Sequence, residues 1–308
     1  MADQVAGAID IGGTHIRVSL VSDRGEVLTA ATLPTLTGAG SAQVCVRRMH
    51  GQLVRQCAQR GLGLADLRGV GIVCAGPIDC RRGEIHNPYT LPGWEAYNIV
   101  ASLRACTGLL VTLEHDVNGA LLGEVFLNSW QGKRVLMISF GTGIGVAVYD
   151  RDRSFRAGTT YHPEMGHVVV DACLTNACYC RHGGCFESLW SGSALQARAQ
   201  ALGYASFDDL FARWQAGETA AQGEMERLQR YFRAGVWNLM TIFKPDILVL
   251  GGGLMQRYYD FCAGLIRRDL DGLEDFVESY QIFPMALEDG SAVVGASRLV
   301  FGDAALTA

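Results

Sequence analysis

Val5-Ala6-Gly7-Ala8-Ile9-Asp10-Ile11-Gly12-Gly13-Thr14-His15-Ile16-Arg17-Val18-Ser19-Leu20 reads as a buried strand, a two-glycine turn and an alternating strand. A further turn at Asp23-Arg24-Gly25 leads into a third apolar segment, Val27–Leu33, so the chain opens as a three-stranded meander. Gln43–Gln59 then carries apolar residues at helical spacing (Val44, Met49, Leu53, Cys57), and Val70–Cys74 is a buried strand. A short strand at Val111–Leu113 precedes a helical pattern over Val117–Leu127, which places His115 and Asp116 at a strand-to-helix junction. The second half begins the same way, with a strand at Val135–Phe140, a turn at Gly141-Thr142-Gly143-Ile144-Gly145 and a strand at Val146–Tyr149. Helical stretches at Ala194–Leu202, Phe207–Gln215 and Met225–Phe243 follow, then a strand at Ile247–Leu250, Gly251-Gly252-Gly253, a helix from Met255 to Leu270 and a last helix over Ala292–Phe301. Strands alternating with helices around glycine turns predict an α/β protein of two related lobes.

Composition narrows the function. The 308 residues are 49% hydrophobic and 19% charged, which suits a folded chain of about two domains and excludes disorder as the main state. A formal charge of −5 and the lack of a dense Lys/Arg run argue against nucleic acid as the partner. No apolar run approaches the roughly 20 residues that span a bilayer, so no membrane partner is expected. Asp3, Asp10 and Arg17 interrupt any signal-peptide core, and six of the ten cysteines are scattered singly, which predicts a reducing cytoplasm.

Three glycine turns carry the first chemistry. Asp10-Ile11-Gly12-Gly13-Thr14 follows a strand: its glycines admit a phosphate to backbone N–H groups, Thr14 offers a hydroxyl, and Asp10 can orient Mg²⁺ or its water shell. Any one such turn is equally an ordinary hairpin. Gly141-Thr142-Gly143 repeats the device, however, and Gly251-Gly252-Gly253 supplies a third turn before a helix, so one site with two hairpins on phosphates and the third beside a nucleoside explains all three. The spacing fits neither the P-loop nor the dinucleotide fingerprint.

His167, Cys178, Cys180 and Cys185 are spaced H-x10-C-x-C-x4-C, a closed set of one imidazole and three thiolates that suits structural Zn²⁺. Cys173 and His182 read as bystanders. Glu164 and Glu187 flank the metal set, where a loop folded around the ion would hold both acids for bidentate hydrogen bonding to a polyhydroxylated substrate.

In order along the chain, Asp10–Thr14, Gly71-Ile72-Val73-Cys74-Ala75-Gly76-Pro77-Ile78-Asp79, Leu91-Pro92-Gly93-Trp94, Asp116-Val117-Asn118, Gly141–Gly145, Glu164-Met165-Gly166-His167, Cys178–Glu187 and Gly251–Leu254 resemble the ROK family. That family holds ATP-dependent sugar kinases and sugar-responsive repressors on the two-lobed actin/hexokinase (ribonuclease H-like) ATPase fold. The resemblance implies a first lobe of residues 1–116 plus a C-terminal helix 291–308, and a second lobe of residues 117–290 with the zinc loop. It implies Asp116 as general base, and Glu164, His167 and Glu187 as ligands of sugar hydroxyls, with His167 also on the metal. It implies that the Asp10–Thr14 and Gly141–Gly143 turns hold ATP phosphates and Gly251–Gly253 the nucleoside side. Two departures fall where the sugar would sit. His115 stands where the family usually has Asn, and Thr159-Thr160-Tyr161-His162-Pro163 replaces the usual small-residue stretch.

The expected reaction is transfer of the ATP γ-phosphoryl group to a sugar hydroxyl, O6 of an aldohexose, with Mg²⁺ and the glycine turns aligning the phosphates and Asp116 accepting the proton. A helix N-terminal role for Asp116 is compatible with that. Gly13–Arg17, His115 and Gly251-Gly252-Gly253-Leu254-Met255 resemble the D-allose branch of the family and make D-allose the expected sugar, with glucose or N-acetylmannosamine as alternatives. A sugar-sensing regulator without catalysis is the competing class. Family regulators carry a helix-turn-helix domain ahead of the first glycine turn, where only nine residues precede Asp10 here. Exposed helices of the second half would serve a homodimer.

Overall fold

The computed structural model describes residues 3–156, 162–175, 178–287 and 290–302. The chain divides into two compact units, one of Met1–Lys133, Ala147–Pro163 and Ala286–Ala308, the other of Arg134–Val146 and Glu164–Met285.

The first sheet is built from β1 (Val5–Ile11), β2 (His15–Ser22), β3 (Val27–Pro34), β4 (Leu67–Cys74) and β8 (Val111–His115), in the order β3-β2-β1-β4-β8. β1, β2 and β3 form the antiparallel meander, while β1, β4 and β8 run parallel. Between them lie α1 (Ser41–Gln59), a small sheet of β5 (Ile78–Asp79), β6 (Glu84–Ile85) and β7 (Tyr97–Asn98), and α2 (Ile99–Thr107). The small sheet and α2 carry no clear period in the sequence. Asn98 caps α2 by accepting from Ala101 N at 2.7 Å.

One face of the sheet is covered by α1, whose Cys45, Val46, Met49, Leu53 and Cys57 are buried with Ile9, Ile11, Val18 and Ile72 in one core. The other face takes α3 (Asp116–Leu127) and α10 (Ser291–Phe301), two helices that are buried on nearly all sides and carry mostly apolar or small residues. They meet at glycines. A Cβ at Gly295 would lie 1.7 Å from Gly119 O, and one at Gly71 would lie 1.8 Å from Ala296 O, so only hydrogen fits at either position. Arg298 is buried in the same layer and is paired there: it donates to Ser22 O and Asp23 O at 3.0 and 2.8 Å and lies 4.0 Å from the Phe126 ring centre.

The second sheet holds β9 (Arg134–Phe140), β10 (Ile144–Asp150), β11 (Arg153–Ser154), β12 (Ile247–Gly251) and β13 (Gln281–Pro284), ordered β11-β10-β9-β12-β13. Its strands follow the first sheet's order, third-second-first-fourth-fifth, which bears out the repeat read from the two strand–glycine–strand segments. The second unit adds α4 (Phe186–Trp190), α5 (Gly192–Ala201), α6 (Phe207–Gln215), α7 (Thr219–Phe243), α8 (Met255–Leu270) and the single turn α9 (Glu274–Val277). Phe140, Phe186, Trp190 and Phe232 cluster at ring-centre distances of 4.5–6.4 Å, clamping α4 and α7 onto β9. None of the ten cysteines forms a disulfide. No helix among the described residues is long and apolar enough to cross a membrane.

Candidate active site

Register aligns the ends of the parallel strands in the first unit. Ile11 pairs with Cys74 and Cys74 with His115, so the glycine turn after β1 and the His115-Asp116 junction after β8 emerge at the same end of the strands. The carboxyl ends of parallel strands are where open α/β sheets bind ligands. Asp10 is half-buried at the end of β1, and Gly12 N donates to His15 O at 2.9 Å to close the turn. Thr35 braces the turn, its hydroxyl donating to Gly12 O at 2.7 Å and its N–H to Thr14 O at 2.9 Å. Gly13 and Thr14 are exposed, and a Cβ on Gly13 would lie 3.0 Å from Cβ of Thr90. Thr90 is itself held by the buried Asn87, which donates to its hydroxyl at 2.7 Å and accepts from Tyr89 N and Thr90 N at 3.0 Å.

Asp116 is the first residue of α3, and Oδ1 accepts from Val117 N at 2.7 Å. Nδ1 of His115 approaches the same oxygen at 2.9 Å. The His115 ring stacks on His162 with centres 4.3 Å apart, and its other edge lies against Gly76, where a Cβ would come within 2.6 Å of Nε2. Burial pushes the Asp116 carboxyl up, but the charge and hydrogen bond of His115, the Val117 N–H and the charge of His162 together hold it below the ordinary 3.8. Of the sequence stretch that departs from the family, residues 159–161 lie outside the described residues.

Beneath this junction sits Glu114, buried at 2% exposure. Its Oε1 accepts from His115 N at 2.8 Å and from Asn118 Nδ2 at 3.1 Å, and its carboxylate pairs with Arg156. Glu114 thus ties the last residue of β8 to the first turn of α3. The Cys80 thiol, 3.8 Å from Glu114, is pushed up to about 12 by burial and by that carboxylate.

In the second unit, Gly141-Thr142-Gly143 joins β9 to β10, with Gly141 N donating to Gly143 O at 3.0 Å. The start of α5 abuts this turn: Gly192 N donates to Gly141 O at 2.8 Å and the Ser193 hydroxyl to Thr142 O at 2.6 Å. At the end of β12, Gly251-Gly252-Gly253 reaches the same strand end, since Leu254 N donates to Phe140 O at 3.1 Å. Gly252 has φ +86°, and a Cβ there would lie 2.5 Å from Phe140 O. Glu187, on α4, accepts from Ile144 N at 2.8 Å, and a Cβ on Gly143 would lie 2.5 Å from the same carboxylate oxygen. The Gly143 position is therefore shaped around Glu187. Glu164 is exposed, and its backbone carbonyl accepts from His167 N at 3.1 Å to form the single helical turn Met165–His167.

His167, Cys178, Cys180 and Cys185 converge, with their ligand atoms all within 4.8 Å of one another. A bridge between Val169 and Cys185 and the bond from Phe186 N to Val168 O draw the segment after His167 onto the residues that start α4. Nδ1 of His167 is 3.6 Å from both Cys178 Sγ and Cys185 Sγ. A tetrahedral ion with N and S ligands at about 2.05 and 2.3 Å separates them by about 3.6 Å, so the set fits Zn²⁺ in size and in donor chemistry. Nε2 of the same ring lies 2.7 Å from Tyr179 OH and 3.8 Å from Glu187 Oε1. His167 therefore joins the metal set to Glu187.

Asn87, Glu114, Asn118, Tyr179 and Arg156 escaped assignment from sequence. The Asn87-Pro88 dipeptide marks a turn and could have flagged the first; the others depend on contacts that no local pattern announces.

Two βββαβαβ-ordered sheets with glycine turns at their strand ends define an α/β fold of the hexokinase class. The chain belongs to the ROK family, whose model matches residues 6–302. It is 27% identical to a glucokinase of Thermotoga maritima over 95% of this chain and 96% of that protein. Among solved structures it superposes on a ROK hexokinase from Thermus thermophilus with TM-score 0.79 and 28% identity, covering 96% of this chain and 97% of that one. It also matches a ROK family glucokinase from Streptomyces griseus solved with glucose and AMPPNP, with TM-score 0.70, 25% identity and coverage of 96% and 98%.

Proposed function

We infer that this chain is a sugar kinase that transfers the γ-phosphoryl group of ATP to a hydroxyl of an aldohexose, and we propose glucose as that hexose. The observation carrying the catalytic assignment is Asp116, held ionised at the end of β8 with Val117 N and His115 both on Oδ1. Oδ2, which takes neither bond, is the atom proposed to receive the sugar hydroxyl's proton as the phosphorus–oxygen bond forms. Glu114 and Asn118 position this carboxylate through the backbone and the helix turn. In the second unit, Glu187 and His167 are proposed to bind sugar hydroxyls together with Glu164. The Gly12–Thr14 and Gly141–Gly143 turns are assigned to the ATP phosphates and Gly251–Gly253 to the nucleoside.

Two ions are proposed with these roles. Zn²⁺, held by His167, Cys178, Cys180 and Cys185, is a structural ion that fixes the His167 ring and the start of α4, where Glu187 lies. Mg²⁺, at Asp10, would supply charge neutralisation to the ATP phosphates.

The relatives reported above are named glucokinases or hexokinase, and none is a D-allose kinase, so glucose has stronger support than the allose expectation drawn from His115 and the Gly13–Arg17 strand. Measuring ADP release with glucose, allose, mannose, fructose and N-acetylmannosamine tests the reading. A kcat/KM for allose tenfold above that for glucose overturns the choice of sugar, and no hexose-dependent ADP release overturns the kinase.

A further inference from the structure

A cavity of about 930 Å³ lies wholly within the first unit, between α2, the edge strand β8 and the β10–β11 hairpin. Five arginines line it (Arg81, Arg82, Arg104, Arg153 and Arg156) against two carboxylates, Glu114 and Asp150. Arg156 is paired with Glu114, and Arg82 lies 4.0 Å from Asp79. The guanidinium groups of Arg81, Arg104 and Arg153 have no acidic partner among the described residues, which leaves an excess of positive charge around a concave site. Two buried hydroxyls of lining residues, Thr112 Oγ1 and Ser154 Oγ, have no hydrogen-bond partner among the described residues. The remaining wall is apolar, with Leu110 and Phe155 exposed to 51% and 41%.

We propose that this cavity binds a small organic phosphate monoester, its phosphoryl oxygens on Arg104 and Arg153 and its organic body against Phe155 and Leu110. Guanidinium groups recognise a phosphate dianion by paired N–H···O bonds, and a concave site of this volume suits a metabolite-sized ligand. The phosphate explains the charge, and the apolar wall explains why an ester is favoured over the free anion. Glu114, which pairs with Arg156 in the wall, also accepts from His115 N, so the cavity borders the segment that carries Asp116.

The test is titration calorimetry of the whole chain with glucose 6-phosphate and with inorganic phosphate, glucose being present at saturation, on the wild type and on Arg104→Glu/Arg153→Glu. A second variant, Arg104→Gln/Arg153→Gln, guards against misfolding in the first. The expected result is that glucose 6-phosphate binds at least tenfold tighter than phosphate, that both variants weaken it at least tenfold, and that the thermal melting temperature is unchanged in at least one of them. Equal affinity in wild type and variants overturns the site, and equal affinity for the ester and free phosphate overturns the organic ligand. Because the readout is binding, failure of the kinase reading would show separately, as absent ADP release.

Discussion

Nδ1 of His115 lies 2.9 Å from Oδ1 of Asp116, so the last residue of a strand and the first residue of the following helix share one polar contact. The stack of His115 on His162 and the close approach of Gly76 hold the ring in that pose.

Replacing Asp116 by Asn keeps the shape of the side chain and removes its ability to take a proton. The expected outcome is a fall in kcat of about 10²–10⁴-fold with little change in melting temperature. Coupled ADP-release kinetics and a thermal melt on the same preparation check both halves, and near-wild-type turnover would remove the general base.

The pH dependence follows from the depressed carboxyl of Asp116. A group with a folded pKa below its unfolded value is ionised above both, and the stability it contributes is lost as pH falls through the folded value. The acid limb of kcat/KM that belongs to Asp116 is therefore expected below pH 3.8, leaving this residue ionised from there through neutrality. In a pH–rate profile, Ala substituted for His115 should move that limb upward, since the imidazole is among the groups that lower it.

Cys180→Ser removes one thiolate from a four-ligand set. The wild type is expected to carry one zinc per chain by elemental analysis of protein purified without added metal, and the variant less than half of that. Sugar affinity should fall with the metal, because His167 and Glu187 are anchored by the same loop. A metal-free wild type with full activity would contradict the assignment.

Gly143→Ala would set a Cβ 2.5 Å from Oε2 of Glu187. Displacing that carboxylate also breaks its bond from Ile144 N, so sugar phosphorylation should fall by about 10²-fold while the fold persists. Unchanged KM and kcat would show that Glu187 plays no part in substrate binding.

Gly295→Ala would place a Cβ 1.7 Å from Gly119 O, a clash of backbone with backbone that no rotamer relieves. Overpacking of this kind costs about 1–3 kcal/mol, and separation of α3 from α10 puts the expected loss at the upper end of that range. Urea unfolding measures it through the transition midpoint.

The repeated strand–glycine–strand segments were legible because strand periodicity and turn chemistry are local properties, set within about ten residues. The cysteine cluster was legible for the same reason: Cys178, Cys180 and Cys185 lie within one loop, and soft thiolates at short spacing point to few chemistries. The local pattern starts the helix at Val117 and the structure starts it at Asp116, since an Asp at a helix start serves as cap or as first helical residue with the same local pattern. By itself, then, the chain's sequence determined the α/β class, the two related halves, the glycine turns and the cluster of one histidine and three cysteines. Tertiary structure alone decided that Cys74 would lie between Ile11 and His115, that Glu187 would close onto Ile144 from 43 residues away, and that Arg156 would pair with Glu114 across 42 residues. Such pairs rest on sheet register and on the packing of distant elements, and both follow from the burial of whole faces, which no local window of residues contains.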